Sequence, residues 1–163
     1  MPEAISNTSP LLYLSRIEAL GWLPRLFTEI WTPGAVVHEL QEGRRKGYDV
    51  PNPADSAWLH IMEPRSMPSE WLTLDLGAGE LAALALALEH PTHVILLDDG
   101  LARRIAQAAG LVVWGTLKVL LEAKSQGLTE NIVSHVNRLE ASGMWISGEV
   151  RRRVLALAGE KEA

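Results

Sequence analysis

Residues 81–88, Leu-Ala-Ala-Leu-Ala-Leu-Ala-Leu, are all apolar. At the helical period of 3.6 residues such a run has no polar face, so a helix formed from it must be buried on every side. The run is far too short to cross a bilayer, which requires about 20 apolar residues. It therefore predicts a helix enclosed between the layers of a soluble domain.

Short apolar runs alternate with helical segments along the chain, which is typical of a parallel sheet covered by helices. The predicted strands are residues 3–6, 29–31, 58–62, 94–97 and 111–113. The predicted helices are residues 10–18, 33–43, 79–89 and 100–109, with others beginning near Thr116, Thr129 and Ser147. We expect a single α/β domain over residues 1–163, with the C-terminal helices from about residue 129 packed on it.

Two of these helices follow a hydroxyl-bearing residue and a proline. Ser9-Pro10 and Thr32-Pro33 are each typical of an N-cap followed by the first helical residue. We therefore expect the side chains of Ser9 and Thr32 to cap the helices that follow them.

Composition narrows the class of protein. Hydrophobic residues make up 47% of the chain and charged residues 21%, as in a globular domain. The absence of cysteine excludes disulfides, thiolate zinc sites and cysteine nucleophiles. The first residues lack the basic and apolar regions of a signal peptide, so we expect a cytoplasmic protein. The net charge of −5 means that binding to RNA would depend on a local basic patch.

Polar residues follow the first and fourth predicted strands, where open α/β sheets bind ligands. Asn7 follows the first strand, although a turn residue that bonds its own backbone is the alternative interpretation. Asp98 and Asp99 follow the fourth strand. One of them could cap the next helix, but a cap needs only one residue. The pair therefore favours a metal or phosphoryl site.

Two glutamates belong to predicted helices. Glu39 lies next to the apolar face defined by Val36 and Leu40, either as a functional carboxylate or as a boundary residue whose head reaches solvent. Glu80 opens the buried helix. The helix dipole alone would favour a glutamate there by about 0.3–1 kcal/mol. Burying a lone carboxylate costs more than this unless a cation or a donor meets it.

Convergence of these residues would produce a set of hard oxygen ligands, which Mg²⁺ and Mn²⁺ prefer. Like-charged carboxylates do not cluster without a cation, because each raises the pKa of its neighbours. The sequence contains no phosphate-binding loop, no Gly-x-Ser-x-Gly elbow and no histidine pair with helical metal-ligand spacing. Gly77 and Gly79 are expected only to shape a turn.

Six stretches, taken in order, resemble the PIN domain family, and most closely a prokaryotic PIN-like subgroup related to VapC toxins. They are Ile5-Ser-Asn-Thr-Ser-Pro-Leu-Leu12, Pro33-Gly-Ala-Val-Val-His-Glu-Leu40, Leu76-Gly-Ala-Gly-Glu80, Leu97-Asp-Asp-Gly-Leu-Ala-Arg103, Trp114-Gly-Thr-Leu117 and Leu155-Ala-Leu-Ala-Gly-Glu160. The resemblance implies a three-layer α/β/α domain with a central, mostly parallel sheet. It also implies an Mg²⁺- or Mn²⁺-dependent endoribonuclease, the toxin of a toxin–antitoxin pair, with a small antitoxin as partner and a homodimer as assembly.

The same resemblance assigns roles to residues. Asn7 takes the place of the first acidic metal ligand, Glu39 the second, Glu80 the third, and Asp98 or Asp99 the fourth. Glu39, Glu80, Asp98 and Asp99 would form the catalytic group. Thr8 or Ser9 would support the first ligand, Arg103 would face a phosphate or pair with an acid, and Thr116 would be a further supporting residue.

Two departures from the family pattern leave an alternative open. Asparagine stands at position 7 where aspartate is usual, which removes a negative charge, and Lys118 stands where the subgroup usually has glycine. Asparagine at position 7 and the acidic net charge favour, as a second hypothesis, a non-catalytic PIN-like module that binds a protein partner or RNA. A phosphoacceptor receiver domain also uses paired aspartates, but its pair follows the first strand, so we set that class aside.

Overall fold

The computed structural model describes residues 1–162, apart from the side chains of residues 72 and 73. Its centre is one sheet of five short strands, all paired in parallel, in the order β3–β2–β1–β4–β5. The strands are β1 (Ala4–Ser6), β2 (Ile30–Thr32), β3 (Leu59–Ile61), β4 (Val94–Leu96) and β5 (Val112–Trp114). In the central register, Ile5 of β1 is aligned with Trp31 on one side and Ile95 on the other.

The α-helices are α1 (Thr8–Arg16), α2 (Leu23–Leu26), α3 (Gly34–Arg45), α4 (Ala78–Glu89), α5 (Gly100–Ala108), α6 (Thr116–Ser125), α7 (Val133–Ala141) and α8 (Gly148–Leu157). Short 3-10 turns lie at Leu20–Trp22, Pro53–Asp55 and Ser69–Thr73. Within the described residues, no helix has the length and apolar character that crossing a membrane requires.

Alternate residues of the strands face two separate hydrophobic clusters, as the period of two in a strand requires. Ala4, Val94 and Leu96 face the first cluster, which also holds buried residues of α1, α2, α3, α6, α7 and α8. Ile5 and Ile95 face the second cluster, which holds buried residues of α4 and α5. The domain is therefore a three-layer α/β/α structure, and the predicted fold class is confirmed.

The apolar run occupies α4 as predicted. Residues 81–87 are buried, and Ala83, Leu84, Leu86 and Ala87 belong to the second cluster. Leu88 is the exception, with 38% of its surface exposed near the end of the helix.

The starts of three helices differ from those predicted. The N-cap positions of α1 and α3 are Asn7 and Pro33, and neither helix has a side-chain cap. The predicted caps at Ser9 and Thr32 are therefore wrong. The Thr32 hydroxyl instead donates to the carbonyl of Ser6, 2.8 Å away. Helix α7 begins at residue 133 rather than near Thr129, whose hydroxyl closes a turn by donating to the carbonyl of Asn131 at 2.8 Å.

The topology creates a crevice between β1 and β4. Helix α1, which follows β1, packs into the first cluster, whereas α5, which follows β4, packs into the second. The chain therefore leaves the ends of these neighbouring strands toward opposite faces of the sheet. In open α/β sheets such a switch point forms a ligand crevice at the carboxyl ends of the strands. Asn7 and Asp98 lie there.

Candidate metal centre

Asn7 lies at the bottom of this crevice. Its backbone N–H donates to the carbonyl of Leu96 at 3.1 Å, and only 3% of the residue is exposed. Its side-chain oxygen, Oδ1, is buried and has no hydrogen-bond partner among the described residues. An unpaired buried acceptor costs about 1–3 kcal/mol. The position therefore suits a cation or a donor that the chain itself does not supply.

Glu39 reaches the crevice from α3, whose Val36 and Leu40 are buried as predicted. Its Oε1 accepts a hydrogen bond from the Thr8 hydroxyl at 2.5 Å, and its Oε2 accepts one from the backbone N–H of Gly79 at 3.2 Å. A Cβ on residue 79 would overlap Oε1 of Glu39 and lie 3.2 Å from the Thr8 hydroxyl. The carboxylate thus occupies space that only a glycine leaves open.

Glu80 is the neighbour of Glu39 at the start of α4. Its Oε1 accepts a hydrogen bond from the Gly77 N–H at 3.0 Å, forming half of a capping box. Both this oxygen and Oε2 of Glu39 lie 3.5 Å from the point where a Cβ on Gly77 would be. Burial raises the pKa of Glu80 against the effect of the Gly77 hydrogen bond, and the charges of Asp99 and Glu39 raise it further. Three carboxylates therefore interact here.

Asp98 is held by three donors at the start of α6 and α1. Its Oδ1 accepts from the Thr116 N–H at 2.8 Å, while its Oδ2 accepts from the Thr116 hydroxyl at 2.7 Å and the Ser9 hydroxyl at 3.1 Å. A carboxylate bound in this way joins α1 to α6. Its hydrogen-bonding capacity is largely used inside the protein.

Asp99 has a different environment from Asp98. It is the N-cap of α5, and its Oδ2 accepts from the Ala102 N–H at 2.9 Å. The residue is exposed, and its charge acts on Glu80. The sequence left open which aspartate caps the helix and which takes the place of the fourth metal ligand. In the structure Asp99 is the cap and its charge acts on Glu80, while the choice of metal ligand stays a prediction.

Two of the four supporting residues have other partners than the resemblance implies. Thr8 and Ser9, expected to support Asn7, donate instead to Glu39 and Asp98. Thr116 supports Asp98. Arg103 donates from Nη1 to the carbonyl of Leu97 at 2.9 Å, and within residues 1–162 it forms no ion pair with an acid.

The donor set fits a hard divalent cation in its chemistry. Asn7, Glu39, Glu80 and Asp99 all offer oxygen, and Oδ1 of Asn7 is a buried acceptor without a partner among the described residues. The carboxylates are nevertheless not drawn into a compact cluster. Among the described side chains, no three histidine, aspartate or glutamate residues lie close enough together to hold one ion. Like charges repel, and each carboxylate has protein donors of its own.

Two glycines of the site were not predicted as functional. Gly77 and Gly79 donate backbone N–H groups to Glu80 and Glu39 and leave room for both carboxylates. Their only signal in the sequence is the run of small residues Gly77-Ala-Gly79 directly before Glu80 at a helix start.

The model of the PIN domain family DUF3368 matches residues 3–160, nearly the whole chain. The chain belongs to the PIN domain family. This family membership confirms the predicted resemblance and gives the chain a nuclease fold, whereas the closer relation to VapC toxins stays a prediction.

One solved structure supports the PIN fold. A PilT N-terminus domain protein from the archaeon Sulfolobus solfataricus is similar over 74% of this chain and 92% of its own, with a TM-score of 0.55 and 16% sequence identity. At that identity the likeness concerns the fold alone. No curated protein matches the chain.

Proposed function

We propose that this PIN domain is a metal-dependent endoribonuclease that hydrolyses RNA phosphodiesters. The observation that carries the proposal is that Glu39, Glu80 and Asp99 interact at the switch-point crevice of a nuclease fold. Thr8, the sequence neighbour of Asn7, binds Glu39, and Oδ1 of Asn7 has no partner among the described residues. Each carboxylate has protein donors, but these donors do not remove the repulsion between the three like charges. A shared cation would remove it.

The proposed metal ligands are Asn7, Glu39, Glu80 and Asp99. Bound Mg²⁺ or Mn²⁺ supplies the positive charge that activates water and stabilises the phosphoryl oxygens. The protein's part is to hold the carboxylates in place. Gly77 fixes Glu80 through its backbone N–H, and Gly79 fixes Glu39 in the same way.

Asp98 is proposed as a positioning residue. Through Ser9 and Thr116 it joins the first turns of α1 and α6 beneath the crevice. It thereby fixes the segment that carries Asn7 and Thr8. This role differs from that of Asp99, whose charge reaches Glu80 directly.

The test is cleavage of single-stranded RNA by purified protein in Mn²⁺. We expect cleavage to stop in EDTA and to fall at least about 100-fold in Glu80→Gln and Asp99→Asn, since each removes a charge from the metal site. Glu149→Gln is the control, because Glu149 lies on the exposed face of α8 and, among the described residues, pairs only with Arg153 at 3.4 Å. Cleavage that survives both EDTA and Glu80→Gln would contradict the mechanism.

We further propose that the protein is the toxin of a toxin–antitoxin pair, inhibited by a small antitoxin and active as a homodimer. The proposal rests on the resemblance to VapC-related proteins. Expression of the chain alone, and together with the products of the reading frames next to its gene, tests it. Growth arrest that the neighbouring product relieves is the expected result, and arrest that persists in its presence contradicts the pairing.

A non-catalytic module is the second candidate function. It is favoured by asparagine at position 7 and by the absence of a compact group of three acids among the described residues. Calorimetric titration with Mn²⁺ separates the two. Micromolar binding that Glu39→Gln abolishes supports the nuclease, whereas no heat of binding in the wild-type protein supports the module.

A further inference from the structure

Trp145 is a large aromatic residue that the fold leaves in solvent. Its exposed fraction is 86%, in the connection between α7 and α8. Its sequence neighbours Met144 and Ile146 are half-buried and pack against the first cluster. Tryptophan is usually well buried in globular proteins, so an indole that contributes little to the core suggests a binding role.

The backbone that carries Trp145 is held at both ends. Arg16 donates from Nη1 to the carbonyl of Ser142 at 2.8 Å, and the Met144 N–H donates to the carbonyl of Leu139 at 3.0 Å. On the other side, the Ser147 hydroxyl caps α8 by accepting from the Val150 N–H at 3.1 Å. The indole is therefore presented from an ordered segment, which lowers the entropic cost of binding a ligand.

Trp145 lines a cavity that reaches one proposed metal ligand, Asp99, and the positioning residue Asp98. Its volume is about 670 Å³, and Asp98 and Asp99 lie on its wall together with Trp145. This volume lies within the usual range for a ligand site, about 300–1,000 Å³. A ligand in this cavity can therefore contact the indole and Asp99 together.

Two cations line this cavity as well. Lys118 pairs with Glu122 at 2.9 Å and lies 5.6 Å from the centre of the Trp114 ring, while Arg103 forms no ion pair with an acid in the described part of the chain. In a protein with a net charge of −5, cations beside acids favour a ligand that carries phosphate. An apolar partner would gain nothing from them.

We propose that Trp145 is a base-stacking subsite for single-stranded RNA, with Arg103 and Lys118 facing the neighbouring phosphates. Only the choice of RNA as ligand rests on the proposed function. Stacking on an exposed aromatic ring needs an unpaired base and tolerates any base. The subsite would select single strands over duplexes and align the chain so that a phosphodiester reaches the acids.

The experiment is fluorescence anisotropy with a labelled single-stranded 2′-O-methyl 12-mer in EDTA, so that binding is measured without cleavage. We expect Trp145→Ala to weaken binding about 5- to 150-fold, the usual range for the loss of one base–aromatic stack. Trp145→Phe should stay within about threefold of wild type, because its ring still stacks. Leu157→Ala is the matched control, since Leu157 is 70% exposed on α8 and does not line the cavity.

The contrary outcomes are distinct. Equal affinity of Trp145→Ala and wild type, or equal affinity of wild type for the 12-mer and its duplex, overturns the subsite. A wild-type dimer that becomes a monomer in Trp145→Ala, with unchanged RNA binding, would instead identify a contact between two copies of this chain. Trp145-dependent binding without any cleavage in Mn²⁺ would refute the nuclease and leave the subsite standing.

Discussion

The carboxylate of Glu39 accepts a hydrogen bond from the backbone N–H of Gly79, 3.2 Å away and 40 residues later in the chain. This contact brings the side chain of α3 against the first turn of α4. It is possible only because residue 79 has no Cβ. The position of one acid thus depends on the smallness of a distant residue.

Gly79→Ala should disturb the site more than the fold. The new Cβ would displace the end of a flexible side chain, and alanine is favoured in a helix by about 1 kcal/mol, so stability should change by less than about 1 kcal/mol. Loss of the Thr8 and Gly79 hydrogen bonds to Glu39 should weaken Mn²⁺ binding about 10- to 100-fold, measured by calorimetry. Gly21→Ala, whose Cβ would meet no atom within 4 Å, should leave affinity unchanged.

Asn substitutions should separate the two aspartates. Asp98→Asn removes a charge that accepts three hydrogen bonds, so we expect a loss of about 1–3 kcal/mol in the free energy of unfolding. Asn is also a good N-cap, so Asp99→Asn should leave the free energy of unfolding unchanged. The same variant should lose most of its affinity for Mn²⁺. Urea unfolding and calorimetry on both variants measure this. The reverse pattern would make Asp98 the metal ligand.

Glu80→Gln should stabilise the metal-free protein at pH 7. Because the pKa of Glu80 is raised in the fold, its ionised form costs folding free energy there, and a neutral amide removes the cost. The carboxylate is partly solvated, so the rise in melting temperature should be no more than about 3 °C. Mn²⁺ should stabilise wild type but not the variant. A lower melting temperature for metal-free Glu80→Gln would contradict the interpretation.

Glu160 closes the amino end of α7. It accepts from the N–H groups of Ile132 and Val133 at 2.8 and 3.0 Å and from Lys124 Nζ at 2.8 Å, with 10% of its side chain exposed. Burial raises its pKa, but these donors outweigh burial and the pKa is lowered. Its contribution is therefore present above pH 4.5, the ordinary value, and is lost as pH falls through the lower folded pKa.

Glu160→Gln should accordingly cost about 2–4 kcal/mol in urea unfolding at pH 7, because it weakens three charge-assisted bonds in a nearly buried site. The difference from wild type should shrink below pH 4.5. Glu149→Gln, which removes an ion pair exposed on both sides, should change stability by less than about 0.5 kcal/mol. Equal effects of the two variants would show that Glu160 does not fasten α7.

His93 should make the domain sensitive to mild acid. Burial lowers its pKa against the attraction of Glu3, whose carboxylate is 3.3 Å from Nε2 but not aligned as a hydrogen bond. In the unfolded chain His93 is protonated near pH 6.5, whereas in the folded protein it is protonated only at lower pH. Stability therefore falls as pH drops below this value, by at most about 1.4 kcal/mol per pH unit for one group.

The centroids of the His93 and Trp31 rings lie 4.4 Å apart. His93→Phe keeps a ring against Trp31 and removes the titratable group. Urea unfolding between pH 6.5 and 5 should show a smaller slope with pH than in wild type. Exposed His60, changed to Phe, should leave the slope unaltered. Identical slopes in wild type and His93→Phe would mean that His93 charges freely in the folded state.

Local patterns in the sequence predicted the layers of this fold and the edge at which its acids lie. The run at 81–88 required a buried helix, and that helix packs in the second cluster. The acids at 39, 80 and 99 were found because each stands beside a strand end or an apolar face. Such signals depend only on the spacing of apolar residues along a helix or strand and not on contacts between distant segments.

Contacts between distant segments could not be read in the same way. Ser9 resembles a helix cap locally, but the carboxylate of Asp98, 89 residues later in the chain, accepts a hydrogen bond from its hydroxyl group. The Thr8 hydroxyl likewise donates to Glu39, 31 residues later. The donor role of Gly79 depends on where α3 meets α4. Trp145 gave no periodic signal at all, since its exposure is decided by the packing of its neighbours. Tertiary competition for donors explains these failures.

Of the four proposed metal ligands, Asn7 and Glu39 belong to the first third of the chain, and Glu80 and Asp99 belong to the middle third. An ion bound by all four would therefore act as a non-covalent cross-link between segments that share no loop. Amide hydrogens of β1 and β4 should exchange more slowly when the ion is bound, because those strands could then separate only after the ion is released.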